Sequence, residues 1–250
     1  MNAADVKAAL QKHASADDAV FLQRFFKTGP GQYGEGDVFI GVRVPATRQV
    51  CRQFKDLPLA EVQKLLNSPV HEHRLAAVIL LANKYPRANA AEQQAIYDLY
   101  LKNVYAGRVN NWDIVDISCA EVIGAHVADG SHDVLYKLAR SNDVWQKRVA
   151  IISTFYFLRQ GDPSASLDMA DILLHDPHDL IQKAVGWTLR EAGKRTEQKI
   201  LTDFLDKHAH DMPRTALRYA IEHLSTEQKR HYMHLKQVYN DGVNGGTADD

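Results

Sequence analysis

The sequence offers little that would suggest a membrane protein, a disulfide scaffold or a metal centre. Of its 250 residues only Cys51 and Cys119 are cysteines. They stand far apart in no CxxC or Cys/His spacing, so neither a disulfide framework nor structural zinc is expected, and a reducing cytoplasm is the default compartment. No apolar run reaches the roughly 18 residues a membrane helix needs, and the start, Met-Asn-Ala-Ala-Asp-Val-Lys, lacks the charged and apolar blocks of a secretory signal. Neither sign of charge dominates: 30 Lys and Arg face 31 Asp and Glu. In bulk, that balance carries no footprint of a nucleic-acid partner. What the chain does have, 45% hydrophobic and 24% charged residues, is the make-up of a folded protein.

Strand signals are nearly absent, because apolar residues recur at three- and four-residue spacing instead of alternating. Val144, Arg148, Ile151, Ile152 and Phe155 form one such stripe, and Ile181, Ala184, Val185 and Thr188 repeat it. Comparable segments start at Ser68, Ser141, His175 and His210, with Arg74, Arg148, Lys183 and Arg214 marking the register. The first gap, 74 residues, is two units of 37 with a divergent copy around Trp112 between them, and the next two gaps are 35 and 31. A period of that length, each copy a helix pair, predicts an all-α solenoid of HEAT or armadillo type, curved, with a concave binding face. The breaks "RQGDPSAS" after Arg159 and "HDPHD" from His175 fall between the expected helices.

Two stretches depart from this pattern within an expected single domain over residues 1–236. From Thr28 to Val44 five glycines argue for a structured loop or small hairpin. The loop lacks the GK[ST] ending of a nucleotide P-loop, so no nucleotide is expected there. Lys27 and Arg43 at its edges suggest instead a contact with a phosphate backbone. The final stretch, residues 237–250, is polar and glycine-rich and reads as a disordered tail. Three of the acids lie in it, which leaves the rest of the chain slightly positive.

Three places break the packing rules of a helical scaffold. In "RVNNWDIVDIS" Trp112 and Asp116 are four apart and share a helix face, and Asp116 sits among Ile114, Val115 and Ile117. An inter-helix salt bridge and a functional carboxylate both fit that position. Asp113, in the first turn, is explained by the helix dipole alone. Arg148 lies on an apolar stripe, either as a buried pair, for example with Asp143, or as a phosphate ligand. Trp187 has Lys183 one turn before it and Arg190 nearly one turn after, and fits core packing or a site. His71/His73 and His208/His210 are two apart and point to different sides of a helix, no HExxH occurs, and no serine elbow is found. No metal or other cofactor is expected.

As a set these fragments resemble the AlkD-like family of DNA alkylation repair glycosylases, built from HEAT-like repeats. The resemblance covers roughly Phe21 to Leu224 and rests on "RFFKTG" at Arg24, "GVRVPATR" at Gly41, "NNWDIVDIS" at Asn110, "VWQKRVAI" at Val144 and "IQKAVGWTLRE" at Ile181. It implies a monofunctional glycosylase that removes cationic N3- and N7-alkylated purines, such as 3-methyladenine and 7-methylguanine, from double-stranded DNA without flipping the base, leaving an abasic site. On this resemblance Asp116, Trp112 and Trp187 are the catalytic set and Arg148 is a phosphate ligand. Phe25 stands where some relatives carry tyrosine, which keeps an aromatic surface and loses a hydroxyl. Lys27, Lys183, Arg190, Arg214 and Arg218 complete the expected DNA contacts of a monomer. The alternative is a non-catalytic repeat protein that binds branched or damaged DNA, and a third class is a protein-interaction scaffold.

Overall fold

The structure is a computed structural model in which residues 1–245 are described, with side chains through residue 239. Among the described residues its regular secondary structure is all helix, apart from one isolated parallel bridge between Val38 and Val70. None of those helices is long and apolar enough to cross a membrane. The chain divides into two compact units, residues 1–129 and a second that begins at Gly130. In a repeat protein each helix pair is held mainly by its neighbours, so cohesion is local.

The first unit contains α1 (Ala3–Gln11), α2 (Ala16–Phe25), α3 (Val44–Gln53), α4 (Leu59–Leu66), α5 (His71–Lys84), α6 (Ala90–Tyr105) and α7 (Trp112–Asp116). Asn2, Ser15 and Asn89 open α1, α2 and α6 by accepting a backbone N–H three residues on, which satisfies donors that a helix start leaves orphaned. At the centre is α5, against which α3, α4 and α7 pack. Its run Leu75–Ala82 is buried on all sides, each large aliphatic contributing roughly 1.5–3 kcal/mol. Less expected is its first turn: His71, Glu72, His73 and Arg74 are buried too. A charged, buried turn demands partners.

The glycine-rich segment supplies many of those partners. It forms a loop of turns, not a hairpin, and the Glu72 carboxylate accepts the backbone N–H groups of Ile40, Gly41 and Val42 at 3.1, 2.8 and 3.1 Å. Gly41 has φ of +81°, and a Cβ there would lie 2.0 Å from the Ser15 carbonyl oxygen. No other residue type fits without moving α2. Three N–H groups at the end of the segment are therefore spent inside the protein, on an anion carried by α5.

The second unit contains α8 (Asp133–Ala139), α9 (Val144–Ser153), α10 (Phe155–Arg159), α11 (Ser164–Ile172), α12 (Asp179–Arg195), α13 (Gln198–His208), α14 (Arg214–Ala220) and α15 (Thr226–Gly245). Both expected breaks fall between helices, at 160–163 and 173–178. The stripe from Val144 to Phe155 is divided at Thr154, whose hydroxyl donates to the Ile151 carbonyl at 2.6 Å and separates α9 from α10. Residues 237–245, expected as disordered, instead extend α15. That helix is anchored where the Tyr232 hydroxyl donates to Asp206 at 2.8 Å and Lys236 to the Asp211 carbonyl at 3.1 Å, and each further turn then adds hydrogen bonds to an existing nucleus. The remaining expected tail, 246–250, lies outside the described residues.

At the centre of this unit is α12, packed by α9, α11, α13 and α14. Its approach to α14 depends on Gly186, where a Cβ would lie 2.3 Å from the Ala216 carbonyl oxygen and 2.5 Å from Tyr219 Cβ. Since Trp187 is the next residue, the same close contact fixes where that ring emerges. Gly186→Ala is expected to destabilise the protein by about 1–3 kcal/mol through overpacking. Urea unfolding measures this, and a loss within about 0.5 kcal/mol of zero would mean that α12 and α14 separate without strain.

Candidate functional site

In the first unit the site grows from α7. Asn111 precedes the helix in an extended conformation, and its side-chain oxygen accepts the Trp112 N–H at 2.9 Å while its amide donates to Asp37 at 3.2 Å. The cap thus ties the helix start to the glycine-rich loop. Asp113 accepts the Ile114 N–H at 2.8 Å through one oxygen and meets His71 Nε2 at 2.8 Å through the other. His71 Nδ1 lies 3.0 Å from Asp37, and Arg74 donates to the second Asp37 oxygen at 2.5 Å and to Asn110 at 3.2 Å. One buried imidazole therefore joins the loop, α5 and α7.

The charges of this group balance only when His71 is protonated. Burial works against the charged ring, but the field of Asp113 and hydrogen bonds to Asp113 and Asp37 outweigh it, raising the pKa to about 9. Asp37 is itself held below the usual carboxylate range: burial pushes it up, and the His71 hydrogen bond and Arg74 more than offset this. The His73 ring lies on the other side, 2.8 Å from the Ser68 hydroxyl. The two-residue spacing had separated the two rings correctly. Asp113 does more than meet the helix dipole, because its carboxylate is one end of the bridge.

Above this network runs a column of rings. His71 stacks on Phe39 with centroids 4.4 Å apart, Phe39 on Phe26 at 5.0 Å, and Phe26 on Trp112 at 5.1 Å with only 17° between planes. Phe25, 53% exposed, meets Trp112 edge-on at 5.9 Å and stacks on Phe21, 51% exposed. Trp112 is thus half-buried with its ring plane set by a buried neighbour. Asp116 closes α7, half-buried, and its charge reaches the buried Tyr100 hydroxyl, which burial above all keeps protonated. Lys27 is exposed at a positive φ of 52°, with Nζ 5.8 Å from the Tyr33 ring.

The second unit holds the other expected residues. Arg148 is buried and donates to the Leu180 carbonyl at 2.7 Å, while Asp143, considered as its partner, uses Oδ1 to cap α9 through the N–H groups of Trp145 and Gln146. Trp187 is half-buried and meets Phe155 edge-on at 4.7 Å. Lys183 pairs with Asp179 at 2.7 Å, and Arg190 is engaged by Glu222 and, at 3.8 Å, Glu191. Their charges are neutralised within the protein, which weakens the expectation that either contacts DNA directly. Arg214 and Arg218, one turn apart on α14, are exposed and have no ion-pair partner among the described residues.

His71, Asp37, Arg74, Asn111 and Phe26 were not identified from the sequence as site residues, although Arg74 had been noted as a register marker. The only local signal was the pair His71/Arg74, three apart on one face of α5. Because the folded pKa of His71 lies above its ordinary value of 6.5, its stabilisation is present in full below that pH and is lost as pH rises through about 9. His71→Gln is expected to destabilise the protein at pH 7 by about 3 kcal/mol, by leaving two buried carboxylates against one arginine. It should also remove most of the wild type's alkaline loss of stability between pH 7 and 10. An NMR titration of the His71 ring that placed its midpoint near 6.5 would contradict the bridge.

The fold agrees with comparisons to known proteins. The structure of a predicted DNA alkylation repair enzyme from Enterococcus faecalis superposes with a TM-score of 0.67 at 18% identity, covering 86% of this chain and 98% of that one, which establishes likeness of fold. No curated protein matches the chain. The family described as DNA alkylation repair enzyme matches residues 6–224, nearly the whole length and including α7, α9 and α12. On that match the chain belongs to the DNA alkylation repair enzyme family.

Proposed function

We propose that the protein is a DNA glycosylase that hydrolyses the N-glycosidic bond of cationic N3- and N7-alkylated purines in double-stranded DNA. The observation that carries this reading is α7 itself: a half-exposed Trp112 on a fixed aromatic column, with the Asp116 carboxylate one turn away on a helix pinned by buried charges. Family membership supplies the context of alkylated DNA.

A purine alkylated at N3 or N7 is already positive, so when the C1′–N bond breaks it departs as a neutral base and needs no general acid. Positive charge grows on the deoxyribose as that bond lengthens, and a carboxylate in a partly desolvated position stabilises it far better than water would. Water then adds at C1′, its proton passing to Asp116 or to solvent, and an abasic sugar remains. Trp112 packs against the sugar beside the lesion, and Phe25 extends that surface. In the second unit Trp187 packs against the backbone and Arg148, oriented by the Leu180 carbonyl, neutralises a phosphate. Arg214 and Arg218 add backbone contacts without giving up an internal pair. Lys183 and Arg190 would first have to release their carboxylates. Because the damaged base need not enter a pocket, the reaction proceeds without flipping it and tolerates bulky adducts.

The test is release of 7-methylguanine from a duplex by the purified protein, with abasic sites cut by alkali. Asp116→Asn is expected to slow single-turnover release by about a hundredfold or more while changing DNA affinity little. Full activity in that variant would remove Asp116 from the mechanism. No release by the wild type, combined with tight binding to branched DNA, would favour a non-catalytic DNA-binding module.

A further inference from the structure

A second concentration of charge lies in the first unit, among residues to which neither the family resemblance nor the reading of α7 gives a role. Arg48 and Arg52 stand one turn apart on α3, Lys55 follows that helix, and Arg87 ends the short 3-10 turn Tyr85–Arg87 after α5. All four are exposed and line one cavity of about 360 Å³ beside Asn83. An adjoining hollow of about 250 Å³ shares Lys55, Asn83 and Arg87, so the two form one continuous groove.

In this unit Arg43, Lys64 and Lys84, the last at the wall of the second hollow, each hold a carboxylate, at 2.5, 2.6 and 3.0 Å. Among the described residues none of the four groove cations has such a partner. The acids lining the groove are Asp56, which holds no ion pair among the described residues, and Glu92, which is occupied by Lys84. Cys51 at the groove wall adds no negative charge, since burial pushes its thiol up to about 12. Arg48 and Arg52 at four-residue spacing repel one another along α3, which is unfavourable unless something anionic lies across them. Four cations without ion-pair partners, lining two adjoining hollows, outnumber the charges of one simple anion. That arrangement matches a row of phosphates better than a single anion, and guanidinium groups suit phosphate oxygens.

We propose that the groove of Arg48, Arg52, Lys55 and Arg87 is a second site for the phosphate backbone of duplex DNA, distinct from α7 and holding about two or three phosphates. It adds an anchor that does not depend on a lesion. This explains how a chain with no net positive charge can hold ordinary DNA: the positive side chains are grouped and unpaired where the backbone lies.

The experiment measures binding of the full chain to an undamaged duplex at several salt concentrations between 50 and 200 mM, so it is independent of base release and can fail or succeed separately from the glycosylase assignment. For the combined variant Arg48→Ala/Arg52→Ala/Arg87→Ala, the slope of log affinity against log salt should flatten by about two to three, at roughly 0.9 for each phosphate no longer neutralised. The charge-keeping Arg48→Lys/Arg52→Lys/Arg87→Lys variant should keep most of the slope. A comparison variant without three exposed cations outside the groove, Lys12→Ala/Lys102→Ala/Lys207→Ala, should change it less. Circular dichroism of each variant confirms folding. An unchanged slope in the first variant, or equal flattening in the comparison variant, overturns the proposal. So does a result in which inorganic triphosphate shifts the NMR signals of these residues while duplex DNA does not, which would make the groove a site for free polyphosphate.

Discussion

The first unit depends on one protonated imidazole. His71 lies between Asp37 and Asp113 with both ring nitrogens hydrogen-bonded, and through those two carboxylates it joins a glycine-rich loop to a helix of only five residues. A helix that short has almost no stability of its own, because nucleation is unfavourable and few hydrogen bonds repay it. What holds α7 is the Asn111 cap, the Asp113 bridge and the stacking of Trp112 on Phe26. Buried ion pairs seldom add much net stability over an apolar core, but they define one arrangement where greasy contacts would tolerate several. At a position that must hold a ring and a carboxylate in fixed register, that definition is the useful property.

The chemistry proposed for α7 needs few groups because the leaving base is already charged. It does need those groups not to move, since a carboxylate stabilises a developing cation only if it need not reorganise to do so. The same logic appears in the second unit, where Gly186 admits α14 so closely that the helix carrying Trp187 has little freedom to shift. In both units the tryptophan follows a residue whose packing is unusually constrained: Asn111 before Trp112, Gly186 before Trp187.

Features that depend on near neighbours in sequence were legible there. Helix periodicity, the breaks at 160–163 and 173–178, and the Trp112/Asp116 face all follow from spacings of a few residues. The bridge was not legible, because Asp37 and Asp113 lie 34 and 42 residues from His71 and neither has a local signature. Asp37 is one polar residue among the glycines of a loop, and Asp113 reads as an ordinary first-turn acid. Arg190 shows the same limit in the other direction: its spacing from Trp187 suggested a free cation, but Glu222, 32 residues away, neutralises it. The end of the final helix, 237–245, was not legible because its glycines and asparagines signal disorder, whereas the preceding turns are fastened to α13 and to the Asp211 carbonyl.

Burial of the His71 bridge also separates two kinds of electrostatics by their response to salt. Mobile ions at physiological strength screen exposed charges beyond about 8 Å, but they hardly reach a pair enclosed by Phe26, Phe39 and α5. On the proposed reading, exposed cations such as Arg214 and Arg218 would lose their hold on a DNA backbone as salt rises, while α7 keeps its seat. A protein that binds duplex in the way proposed would then be stripped from it by ionic strength alone and return with its site already assembled, so that each encounter with a new stretch would begin from a finished surface.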